Sequence, residues 1–102
     1  MDRIHHIAIV VPEIEKALDW YQSQFEVKTC YVDDSWALIK FDNIELALVL
    51  PGKHPPHIAI ERNDVELHGC LTPHRDGTAS VYTNDPWGNV IELLKIDQQQ
   101  LS

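Results

Sequence analysis

Basic side chains are scarce in this sequence. Lys and Arg total 8 against 16 Asp and Glu, for a formal net charge of −8, and the three arginines are Arg3, Arg62 and Arg75. No stripe of cations runs along any segment, so nucleic acid is not an expected partner, because phosphate binding needs clustered Lys and Arg. Cysteine is scarce too: Cys30 and Cys70 are far apart and lack CxxC spacing. That leaves no disulfide framework and no thiolate metal motif, and points to two free thiols in a reducing compartment. No apolar run approaches the ~18–20 residues of a membrane span, so no membrane partner is expected. The opening Met1-Asp2-Arg3 leads directly into a segment with two histidines, unlike a secretory signal. The expected location is cytoplasmic.

What is present is enough for one ordinary core. The chain has 102 residues, 44% of them hydrophobic, which suits a single domain over 1–97 with a disordered tail over 98–102. Arg3 to Val11 reads as a strand that Pro12 stops. Pro12 suits the first helical position, Glu13 and Glu15 suit the positive end of a helix, and Ile14, Ala17, Leu18, Tyr21 and Phe25 form one apolar stripe. Three strands are expected next, over Glu26 to Asp33, Trp36 to Phe41 and Ile44 to Leu50, with turns at Asp33-Asp34-Ser35 and Asp42-Asn43. Residues 51–56 hold three prolines and form a linker. Beyond it, His57 to Arg62 reads as a strand, Asn63 or Asp64 as the cap of a short helix to about His68, and 71–78 as irregular. Ala79 to Asn84 and Asn89 to Ile96 read as two strands joined by Asp85-Pro86-Trp87-Gly88.

The linker separates two similar halves, module one over 1–50 and module two over 57–97. His6-Ile7-Ala8-Ile9 recurs as His57-Ile58-Ala59-Ile60, and Ile14-Glu15 recurs at the same offset as Val65-Glu66. Each half ends on Ile-Glu-Leu: Ile44-Glu45-Leu46 and Ile91-Glu92-Leu93. Four matches in one order indicate a duplicated unit. Strand alternation then sorts the faces. Ile7, Ile9 and Val11 share one side of the first strand, and His6, Ala8 and Val10 the other. Ile58 and Ile60 oppose His57 and Ala59. Ile44, Leu46, Leu48 and Leu50 oppose Glu45, Ala47 and Val49, and Ile91 and Leu93 oppose Glu92. One face is aliphatic and suits helices. The other carries a single His or Glu, with small residues beside it in three of the four strands.

That second face is expected to line a cavity where two imidazoles and two carboxylates converge. Two buried carboxylates repel each other, and each costs on the order of several kcal/mol without a partner. A divalent cation relieves both penalties, and two neutral His with two Glu suit Zn, Ni, Co, Mn or Fe. The candidate metal ligands are therefore His6, His57, Glu92 and Glu45. The bland alternative is a set of hydrogen-bonded structural residues, and it is strongest for Glu45, which lies near a turn. His5 falls on the opposite side from His6. His54, His68 and His74 read as surface residues, and neither cysteine has a motif base nearby.

These residues resemble the vicinal oxygen chelate superfamily, which includes glyoxalase I, methylmalonyl-CoA epimerase, extradiol dioxygenases, and fosfomycin- and bleomycin-resistance proteins. The resemblance lies in His6-Ile-Ala-Ile-Val-Val-Pro with its helix, His57-Ile-Ala-Ile, and Ser80 to Leu94, which is similar to the family's Asp-Pro-x-Gly-Asn-x-Ile-Glu-Leu ending. It implies an α+β fold of two βαβββ modules, the second one shortened here, forming a curled mixed β-sheet cup with helices outside. It also implies a His on the first strand of each module and an acid on the last as metal ligands, so His6, His57 and Glu92 match. Glu45 would be the fourth, with Ala47 the alternative equivalent position. By this resemblance the protein is a divalent-metal-dependent lyase, isomerase or dioxygenase acting on a small molecule chelated through adjacent oxygens, with Glu92 or Glu45 moving a proton. The competing reading is a metal-free homodimer that sequesters an antibiotic-like ligand in an acidic cleft, with Trp20, Trp36 and Trp87 available for stacking. A purely structural domain is the third reading, since a fold alone does not settle function.

Overall fold

The computed structural model describes residues 1–64, 72–73 and 79–95. The chain divides into two compact units, residues 6–57 and residues 1–5 with 58–102. The strands β1 (Arg3–Val10) and β5 (His57–Glu61) each cross that division.

In the unit of residues 6–57, β1 is followed by α1 (Ile14–Gln24), β2 (Lys28–Val32), β3 (Trp36–Lys40) and β4 (Glu45–Val49). The strand order is β2-β3-β4-β1. β3 runs antiparallel to β2 and β4, whereas β4 runs parallel to β1. The parallel pairing requires a long crossover, and α1 with the β2–β3 hairpin provides it. The helix begins later than its proline suggests. Pro12 lies two positions ahead of Ile14, and Glu13 is the N-cap, with extended backbone and no side-chain cap. Glu13 instead pairs with Lys16 at 3.0 Å. Phe25 also falls outside the helix, as its C-cap, where the amide still donates to the Tyr21 carbonyl.

Alternation on β1 and β4 and the helix stripe meet as expected, and β3 joins them. Ile14 and Leu18 of α1 join Val11, Ala37, Ile39 and Leu48 in one buried cluster, bordered by Ile9, Ala17, Tyr21 and Leu46. Ile9, Leu46 and Leu48 come from the aliphatic faces of their strands, and burying such side chains contributes roughly 1.5–3 kcal/mol each. The opposite face is not left to solvent: Ala8, Ala47 and Val49 are buried as well.

The β2–β3 turn is held by Asp33. Its Oδ1 accepts from the Ser35 amide and hydroxyl, both at 2.8 Å, and from the Trp36 amide at 2.9 Å, while Oδ2 accepts from the Tyr31 hydroxyl. The Tyr31 ring stacks on Trp36, centroids 4.7 Å apart. This is an Asx turn in which a carboxylate replaces backbone acceptors.

In the other unit, β5 is followed by β6 (Thr72–Pro73), β7 (Ala79–Asn84) and β8 (Val90–Lys95), in the order β5-β8-β7-β6. β6, two residues long, lies where an irregular segment was expected, and it pairs antiparallel with Ala79 and Ser80. The short helix expected to run on from Asn63 or Asp64, and the tail over 98–102, lie outside the described residues. Asp85 to Asn89 closes the β7–β8 hairpin. Pro86 presets the turn, and Gly88 takes φ +87°, a conformation that L side chains rarely adopt. The Asp85 carboxylate accepts from the amides of Trp87 and Asn89, each at 2.9 Å, and from the Asn89 side chain at 2.8 Å. Counting out from this turn sets the register: Asn84 faces Val90, Tyr82 faces Glu92 and Ser80 faces Leu94. Val81 and Leu93 form the apolar cluster of this hairpin, with Ile91 against it. The N-terminal residues are tied to this unit by ion pairs from Arg3 to Glu61 at 3.3 Å and from Arg62 to Asp2 at 3.5 Å.

Two outcomes follow. Leu48→Ala, at a position with no exposure, is expected to lower unfolding free energy by about 2–5 kcal/mol, measured by urea denaturation. Asp33 is expected to titrate well below the ordinary aspartate value near ~3.9, because hydrogen bonds from Tyr31, then Ser35 and Trp36, favour its charged form. The stability it confers is present above the unfolded-state value and is lost only as pH falls through the lower folded-state value. Carbon NMR of its carboxyl group checks this, and a midpoint at or above the ordinary value would contradict it.

Candidate functional site

The two histidines of the repeat each lie on a strand. His6 lies on β1 and His57 opens β5 immediately after the proline-rich linker. Their rings meet edge-on, with centroids 5.5 Å apart and planes at 74°. His57 is 8% exposed, so its ring cannot rely on water for its polar atoms. Its Nδ1 lies 2.8 Å from the Pro55 carbonyl oxygen. A carbonyl only accepts, so Nδ1 carries the proton and donates, and the lone pair of the neutral ring sits on Nε2. This is the tautomer-setting arrangement found around metal-ligating histidines. The linker therefore has a second role: the Pro55 carbonyl orients a ring two residues later.

Glu45 opens β4. The parallel register places it directly beside His6, and the antiparallel register places it beside Lys40 of β3. It is partly buried. Ala47, the alternative position on the same strand, faces Ala8 instead and is buried.

Glu92 sits in the middle of β8 and is 4% exposed. An ionised carboxylate at that depth requires hydrogen bonds or a cation. One partner is Tyr82, its cross-strand neighbour on β7. Burial, then the Glu92 charge and the hydrogen bond to it, push the Tyr82 hydroxyl up to about 12. The phenol thus keeps its proton throughout the neutral range and acts as donor to the carboxylate. Tyr82 was not among the residues expected from sequence. The signal for it was available in the hairpin count, since a tight turn at Asp85 to Asn89 sets Tyr82 opposite Glu92.

By residue type, His6 and His57 of the one unit and Glu92 of the other are described side chains able to ligate a metal ion. His5 is half-buried and His54 is exposed; His68, His74 and Cys70 lie outside the described residues. Cys30 is a free, exposed thiol. An open cleft of about 270 Å³ lies in the unit that contains the N-terminus, lined in part by Arg3, Glu61 and Arg62. Its arginines are ion-paired within the chain, Arg62 to Asp64 at 2.6 Å and Arg3 to Glu61, so it is not a ready anion site. No helix among the described residues is long and apolar enough to cross a membrane.

The His57 geometry has a direct readout. In ¹⁵N-detected NMR of the metal-free protein at neutral pH, His57 is expected as the Nδ1–H tautomer. An Nε2–H tautomer would contradict the Pro55 contact.

Several solved structures share this architecture. A glyoxalase/bleomycin resistance protein/dioxygenase superfamily member from Vibrio splendidus 12B01 superposes with a TM-score of 0.72 at 10% identity, covering 93% of this chain and 99% of that one. A hypothetical protein from Bacillus halodurans C-125 gives 0.72 at 18% identity, covering 92% and 94%. A variant methylmalonyl-CoA epimerase from Streptomyces coelicolor, in complex with 2-nitronate-propionyl-CoA, gives 0.71 at 16% identity, covering 92% and 94%. At these identities the likeness concerns the fold alone. No curated protein matches the sequence. The family model of the Glyoxalase/Bleomycin resistance protein/Dioxygenase superfamily matches residues 3–69. With its repeated His-Ile-Ala-Ile strands, one βαβββ module and an α+β fold shared with solved members, this chain belongs to that superfamily.

Proposed function

We propose that this protein is a metal-dependent enzyme in which His6, His57 and Glu92 hold a divalent cation, with Glu45 as a second carboxylate, and that it acts on a small molecule presenting adjacent oxygens. The observation that carries this reading is the ring contact between the two duplicated imidazoles, one with its tautomer set by a carbonyl, and with it, in the other unit, a carboxylate buried to 4% exposure. These donors fit Zn, Ni, Co, Mn or Fe(II), which take imidazole nitrogen and carboxylate oxygen together.

When bound, such an ion supplies Lewis acidity toward a substrate carrying adjacent oxygens. The chain's own residues do the rest. His57 presents Nε2 because Pro55 fixes Nδ1. Glu92 or Glu45 accepts or returns a proton at a substrate carbon or oxygen. Lyase and isomerase chemistry use that pair of functions, and dioxygenase chemistry would need O2 and a redox-active ion such as Fe(II) or Mn in addition. The described arginines are both ion-paired with acids, which favours a small substrate over one with a large phosphorylated carrier. The exposed Cys30 thiol fits a cytoplasmic setting, where thiols stay reduced. A homodimer is part of the proposal, since a shortened second module leaves less of a cup for one chain to close.

The second reading, a metal-free homodimer that sequesters a cationic or aromatic ligand, draws on the net charge of −8 and on Trp20 and Trp87, which are 53% and 82% exposed. Metal stoichiometry separates the two. Dialysed protein titrated with Ni, Zn, Co, Mn and Fe(II) is expected to take up one ion per chain. His57→Ala is expected to weaken binding by more than ~100-fold, beyond the ~10–100-fold of an outer-shell change, and acidification is expected to release the ion because the ligands must be deprotonated. Protein that stays metal-free with all five would overturn the proposal. Ligand binding unchanged by a chelator and by His6→Ala would favour sequestration.

A further inference from the structure

We infer that Tyr82 is the positioning residue for Glu92: its hydroxyl donates to the carboxylate and decides which of the carboxylate's lone pairs remain for a ligand. This rests on the metal-site reading above and extends it to a residue that the duplicated pattern does not contain.

The geometry comes from the hairpin. Tyr82 and Glu92 are direct partners in the antiparallel β7–β8 register. Such partners project from the same face with Cβ atoms about 4.5–5.5 Å apart. The alternate residues Val81 and Leu93 pair on the opposite face, in the apolar cluster that holds the two strands together. The Asp85 to Asn89 turn sets the register at the near end through its Asx hydrogen bonds. Both backbone positions are thereby set, and the Tyr82 hydroxyl bonds the Glu92 side chain.

The direction of that bond is not in question. An ionised carboxylate only accepts, and a phenol supplies one O–H. A donor aimed at an ionised acceptor makes a shorter and stronger bond than a neutral pair. A carboxylate offers two oxygens and about four lone-pair sites, so one donor restrains its rotation and still leaves sites for a cation. Glu92 is 4% exposed whereas Tyr82 is 43% exposed. The tyrosine therefore connects a buried ligand group to the outer side of the hairpin. Partners of this kind tune metal affinity by about 10–100-fold without touching the ion.

The experiment uses the full chain and Co(II), whose visible d–d bands report ligand geometry. Tyr82→Phe removes one oxygen and keeps the ring. The expected result is a loss of Co(II) affinity of about 10-fold or more and a changed visible spectrum, with the thermal midpoint of the metal-free protein unchanged. Equal affinity and an identical spectrum in wild type and Tyr82→Phe would overturn the inference and leave the metal site standing. A lowered metal-free midpoint with unchanged affinity would also overturn it, showing a structural role. Wild-type protein that takes up no Co(II) would overturn the metal-site reading and this inference with it. Should Tyr82→Phe not fold, 3-fluorotyrosine at position 82 keeps the shape and changes donor strength. It is expected to shift the Co(II) bands, and an unshifted spectrum would overturn the inference.

Discussion

A carboxylate on a strand of this small fold, 4% exposed, sets the terms for everything around it. Glu92 cannot be solvated where it stands, and an isolated buried charge is too costly to keep. Its surroundings must supply donors or a cation. The β7–β8 hairpin supplies the first: the turn at Asp85 to Asn89 fixes the register, and the register places the Tyr82 hydroxyl opposite the acid. The same constraint recurs at His57, whose buried ring is satisfied by the Pro55 carbonyl. In both places a local backbone device, a tight turn or a proline-rich linker, prepares a polar group that the core would otherwise reject.

The division of faces makes these sites affordable to a chain of this size. In the unit of residues 6–57 one sheet face is filled by α1 through Ile14, Leu18, Ile39 and Leu48. The other face is built from Ala8, Ala47 and Val49 around His6 and Glu45. Small residues beside the polar ones leave those side chains room while excluding much of the water. Two aliphatic faces would leave no place for these polar side chains on the sheet.

Much of this was legible in the sequence because strand alternation has an exact period of two. Once His6, His57, Glu45 and Glu92 were assigned to strands, their faces followed, and so did the aliphatic stripe under α1. Boundaries were less legible. Pro12 suggested a helix start, yet the helix begins at Ile14 because Glu13 keeps extended backbone and pairs with Lys16 instead of capping. Phe25 carried the helical spacing but falls past the last turn, where its ring lies 6.0 Å from Phe41. Spacing alone cannot tell a final helical turn from a residue that packs just beyond it.

By itself the sequence determined the duplication, the α+β class, the polar and aliphatic faces, and the residue types suited to a metal. Those properties depend on periodicity and composition, which are local. Only the tertiary structure decided which partners each polar group has. The parallel register of β1 and β4 set Glu45 beside His6, the bend of the linker aimed the Pro55 carbonyl at His57, and the hairpin count brought Tyr82 to Glu92. Hydrogen-bond partners are chosen across strands and around turns, at distances where a one-residue slip moves a side chain to the other face. The repeat marked the candidate residues, and the register between strands chose what supports them.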